Sequence, residues 1–90
     1  MTIQWNVVQP LAEAVSSPMG GLYLQSADGT LLVFAHRRHT GSGRSRRAID
    51  SFWAMDYSGP VPVEATQPLP TLDEVTEHIV QRQAFAAKTG

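Results

Sequence analysis

The residues best suited to chemistry are concentrated in one run, His36 to Arg47, which reads HRRHTGSGRSRR. Five of the seven Lys and Arg residues (Arg37, Arg38, Arg44, Arg46 and Arg47) lie in it, with two of the three histidines and no acid. The rest of the chain holds all eight carboxylates against only Arg82 and Lys88, so a formal net charge of −1 conceals two parts of opposite sign. Like charges crowded along a chain repel one another, and the commonest compensation is an external polyanion. The run contains no lysine. Arginine suits phosphate better, because its planar fork takes two oxygens at once.

These features predict contact with a nucleic-acid backbone, DNA ahead of RNA, through Arg37, Arg38, His39, Thr40, Ser42, Arg44, Ser45, Arg46 and Arg47. Thr40, Ser42 and Ser45 would add hydroxyl donors, and the role expected is regulatory or accessory. If all five arginines neutralised phosphates, binding would follow a logarithmic salt slope of about −4 to −5 per protomer. A protein-interaction module that uses the basic run, or the acidic C-terminal segment, is the alternative. A third reading is a small ribonuclease-like enzyme in which His36 and His39 exchange protons and arginine stabilises the phosphorane.

The competing chemistries are weakly signalled. His36-x-x-His39 lacks a third ligand at suggestive spacing, and the surrounding positive charge opposes a metal cation. Thr40-Gly-Ser-Gly-Arg-Ser45 has glycines like a phosphate-cradling loop, yet lacks the Gly-Lys-Ser/Thr ending of a triphosphate site. No catalytic residue, metal ligand or cofactor is therefore assigned. Trp5, Phe52, Trp53 and Tyr57 offer faces on which bases could stack, but aromatic residues in apolar strands are more often core.

The elements that must position the basic run can be read around it. Ile3, Trp5 and Val7 alternate with polar residues as in a strand buried on one face, and Pro10 followed by Leu11, Ala14 and Val15 suits a short helix. Leu22 to Gln25 and Leu31 to Ala35 flank Asp28-Gly29, a strong hairpin signal. The second of these runs is almost continuously apolar, which predicts a central strand covered on both faces. Ala48 to Tyr57 fits a strand at period two and a helix at period 3.6. The strand is preferred, since arginines at a helix N-terminus oppose its dipole and aromatic residues favour sheets. On that reading the basic run is the protruding end of a second hairpin.

Residues 58–70 hold four of the six prolines and read as an extended connection, with Val61 and Val63 along an edge. Thr71-Leu-Asp-Glu74 is a capping box that opens a helix whose inner face is Leu72, Val75, Ile79, Gln83 and Ala86.

Together these predict an α+β domain: a small antiparallel sheet of three to five strands with a C-terminal helix packed across one face, and a short N-terminal helix. Ninety residues fit one domain with a modest core, and apolar surface left over would favour a homodimer. The absence of cysteine excludes disulfides, thiolate metal sites and a Cys nucleophile. No apolar run approaches the length of a membrane span, so a cytoplasmic protein with no membrane partner is expected.

Overall fold

The computed structural model describes residues 3–89, with side chains through residue 83. Five strands and two helices follow one another along the chain: β1 (Trp5–Val7), α1 (Leu11–Ala14), β2 (Gly21–Ser26), β3 (Leu31–Thr40), β4 (Arg47–Asp56), β5 (Val63–Glu64) and α2 (Leu72–Thr89). The strands form a single antiparallel sheet in the order β1-β2-β3-β4-β5. This is the α+β architecture expected from the sequence.

The β2–β3 connection is made where Asp28-Gly29 predicts it. Gly29 has a φ of 79°, which a side chain would oppose, and Asp28 ties the turn together. Its Oδ1 accepts from the Ser26 hydroxyl at 2.7 Å, the Thr30 amide at 3.0 Å and the Thr30 hydroxyl at 2.8 Å. Ala48 to Asp56 is strand, paired residue by residue with β3 from Leu31↔Asp56 to Thr40↔Arg47. Ten consecutive cross-strand partners outweigh the local helical stripe. The proline-rich segment runs along the outer side of β4: Val63 and Glu64 pair with Asp56 and Met55, and Leu69 bridges to Phe52. Val61 lies outside the strand and is two-thirds exposed.

Strand alternation puts Leu31, Val33 and Ala35 of β3 and Phe52 and Ala54 of β4 on one face. All five are buried, in one cluster with Ala14 and Val15 from the α1 segment and Val75 and Ile79 from α2. Both helices therefore cover the same face. On α2, Leu72, Val75 and Ile79 pack inward as the spacing predicts, Gln83 is exposed, and the Ala86 side chain lies outside the described residues. Trp5 on β1 joins the same layer, its indole Nε1 donating to Thr76 Oγ1 at 3.0 Å.

Residues Leu32 and Phe34 project from the other face of β3 and are only half-buried. β3 is the central strand, as predicted, but it is not covered on both faces. Its apolar even-numbered residues meet Met55 and Trp53 of β4 across the strand pair instead of a second layer.

At the start of α2 the Glu74 amide donates to Thr71 Oγ1 at 3.2 Å. The Glu74 carboxylate reaches back to the Thr71 hydroxyl, also at 3.2 Å, rather than to the backbone amide of a full capping box. Thr71→Ala removes both contacts and is expected to cost about 1 kcal/mol, a fall of roughly 4–8 °C in melting temperature for a domain of this size. Thermal melts by circular dichroism check it; an unchanged midpoint would mean that the packing of α2 alone fixes its start.

Candidate nucleic-acid interface

The β3–β4 hairpin is longer than the core that supports it. Ten paired residues span about 34 Å, and the molecule measures 53 × 23 × 22 Å. Ala35 and Phe52 are the last buried residues toward the tip; none from His36 to Ser51 is buried. The basic run thus occupies a projecting arm, closed by a turn at residues 41–46 that includes one turn of 3-10 helix at Gly43–Ser45.

Parity in the two strands sorts the site residues. Arg37 and His39 point to the helix-bearing face, opposite Asp50 and Ala48. His36, Arg38 and Thr40 point to the open face, opposite Ser51, Ile49 and Arg47. Arg38 and Arg47 are diagonal neighbours there, about 7–8 Å apart at their origins. Arg44 lies in the tip turn and Arg46 follows it in extended backbone. Arg38, His39, Ser42, Arg44, Ser45, Arg46 and Arg47 are all exposed.

One predicted contact residue is otherwise engaged. Arg37 makes a two-pronged ion pair with Asp50, Nε to Oδ1 at 2.7 Å and Nη2 to Oδ2 at 3.1 Å, the only salt bridge among the described residues. Asp50 is the acid nearest the run in sequence, and the hairpin register sets it directly opposite Arg37. Arg38, Arg44, Arg46 and Arg47 have no carboxylate partner among the described residues. The Ser45 hydroxyl is engaged as well, donating to the Ser42 carbonyl at 2.8 Å within the exposed tip turn.

The two histidines do not converge. Three residues apart on a strand, they leave opposite faces of the sheet, and His36 Nε2 lies 3.1 Å from the Pro18 carbonyl. That geometry fits neither a shared metal nor a paired acid and base. Of the aromatic candidates, Phe52 is buried, Trp5 and Trp53 are half-buried, and Tyr57 is exposed beyond the end of β4.

Hydrogen bonding holds three carboxyls below the usual carboxylate range. The Arg37 guanidinium does so for Asp50, the Ser26 hydroxyl most strongly for Asp28, and Ser58 for Asp56. A carboxyl depressed in the folded state contributes stability that is complete above its unfolded value near 3.8 and disappears as pH falls through the lower folded value. Melting temperature is expected to be insensitive to these groups from pH 7 to about 5 and to decline below about pH 4. Melts across that range check this, and Asp50→Asn should shallow the acid limb. An acid limb identical in the variant would show that the Arg37 pair contributes nothing in solution.

Comparison of the chain with protein-family models, with curated proteins and with solved structures finds no match. Among the described residues no helix is long and apolar enough to cross a membrane.

Proposed function

We propose that this protein binds a nucleic acid by its phosphate backbone, with Arg38, Arg44, Arg46 and Arg47 at the end of the β3–β4 arm supplying the contacts. The observation that supports the reading is the division among the five arginines. Arg37 has a carboxylate partner at 2.7 Å, whereas the four nearer the tip are exposed, with no internal partner among the described residues. The end of the arm beyond the Arg37–Asp50 pair carries no acid and concentrates positive potential there.

DNA ranks ahead of RNA, because a two-stranded ribbon fits the major groove of B-form DNA and not the deep, narrow one of an A-form helix. The arm suits an accessory or regulatory protein that holds nucleic acid in place. With Arg37 engaged by Asp50, four contacts remain, and the expected salt slope is about −3.6.

Fluorescence anisotropy with a labelled generic duplex tests the reading. Raising salt from about 50 to about 200 mM should weaken binding roughly 150-fold. Absence of binding at the lower salt would overturn it and turn attention to an acidic protein surface as the arm's partner.

A further inference from the structure

The open face of the sheet carries an aromatic pair on the same two strands as Arg38 and Arg47, both exposed and without a carboxylate partner among the described residues. Phe34 and Trp53 face each other across β3 and β4, rings stacked at 5.8 Å between centroids and 13° between planes. The indole extends over Gly20, where a Cβ would come within 2.7 Å of Trp53 Cη2, so it lies along the sheet instead of standing away from it. Leu32 and Met55 continue the apolar surface on one side. On the other, the polar pair His36 and Ser51 comes first, and beyond it Ile49 is 43 % exposed and sits directly opposite Arg38, one same-face pair before Thr40 and Arg47. Both helices are on the reverse face, and the one acid that register assigns to this face, Glu64, lies opposite Met55, about 27 Å along the strand from Arg47.

From this arrangement we infer that the open face takes unpaired bases of the nucleic acid whose backbone the arm holds, with Trp53 and Phe34 as the stacking platform and Arg38 and Arg47 beside the adjoining phosphates. The inference rests on the arm's backbone contacts proposed above, not on the groove fit that ranks DNA first, and adds the strandedness of the ligand. Bases buried in a duplex cannot reach a half-buried ring lying along a sheet, whereas exposed ones can, and any base has a π face to offer. The guanidiniums supply the charge complementarity that an apolar face alone lacks. They stand on the same side of the same two strands, beyond the polar His36–Ser51 pair and about 14 and 20 Å along the strands from Trp53.

The test uses the full chain with a labelled oligothymidylate and a labelled duplex of equal length at low salt. Trp53→Ala is expected to weaken oligothymidylate binding roughly 5- to 150-fold, the range for loss of one base–aromatic stack, and to change duplex binding less than twofold. Trp53→Phe should retain most of the affinity. Oligothymidylate should also quench the emission of Trp53 in Trp5→Phe protein, a measurement that decides the matter if Trp53→Ala does not fold. Unchanged oligothymidylate affinity and unquenched emission, in a protein that still binds duplex through its arginines, would overturn this inference and leave the arm reading intact. Failure to bind either probe would overturn both. A dimer in sedimentation that oligothymidylate does not dissociate, and that Ile49→Asp does, would assign the face to a second copy of the chain instead.

Discussion

Replacing Arg44, Arg46 and Arg47 together by alanine is expected to reduce the dependence of duplex binding on salt from a slope of about −3.6 to about −0.9, with Arg38 alone remaining. At about 1.5 kcal/mol for each charge-assisted phosphate contact, affinity at low salt should fall roughly 2,000-fold. The three side chains are exposed and make no ion pair among the described residues, so melting should move by no more than the few tenths of a kcal/mol typical of surface positions. Arg37→Ala is the informative contrast. It leaves Asp50 without its partner on the arm, and it should alter the acid limb of the melting profile while changing the salt slope little. If Arg37→Ala and the triple variant lowered the slope per arginine equally, the division of the five into one structural and four free cations would be wrong. Titration of each variant at several salt concentrations is sufficient to decide.

The largest effect on stability is expected at Phe52. Its side chain is 8 % exposed, contacts Tyr23 with ring centroids 6.2 Å apart, and lies where the sheet meets the proline-rich segment through paired backbone bonds to Leu69 at 2.8 Å in each direction. Phe52→Ala should cost about 3–5 kcal/mol, since the sheet and two helices cannot all close on the space left behind. A domain of this size has roughly 5–15 kcal/mol in total. The melting temperature should accordingly drop by roughly 12–40 °C. Denaturant titration followed by circular dichroism measures it. A loss below about 1 kcal/mol would mean that the core relaxes around the site far more than a packed interior allows.

Much of the fold was readable because its signals are local. Asp28-Gly29 marks a turn by the φ it demands, and Thr71 with Glu74 marks a helix start by the groups it satisfies, so both could be placed without knowing what lies opposite. Residues 48–57 could not be settled in this way. Ile49, Phe52, Trp53 and Met55 satisfy both periods, and the ten-residue pairing with β3 that resolves them is a property of two segments together. The single-sided burial of β3 was hidden for a related reason. Leu32 and Phe34 are as apolar as Leu31 and Val33, and nothing in the run distinguishes a residue beneath a helix from one leaning on Trp53.

Within the candidate site, the position of the arm was legible and the engagement of Arg37 was not, although a signal existed. Once the basic run is taken as the end of a hairpin with Thr40 opposite Arg47, the same register sets Arg37 against Asp50. The same counting sends His36 and His39 to opposite faces of the sheet. The Ser45 to Ser42 hydrogen bond depends on the 3-10 geometry of the tip, for which the residues 41–46 give no distinctive spacing.

The order of the strands has a bearing on how the chain reaches this shape. Each strand pairs with its immediate successor, so the sheet can zip up through short closures that cost little entropy. The Trp5 to Thr76 hydrogen bond spans 71 positions and must await the arrival of α2. The two indoles therefore report on different parts of the structure: Trp53 on the pairing of β3 with β4, and Trp5 on the seating of α2 against β1.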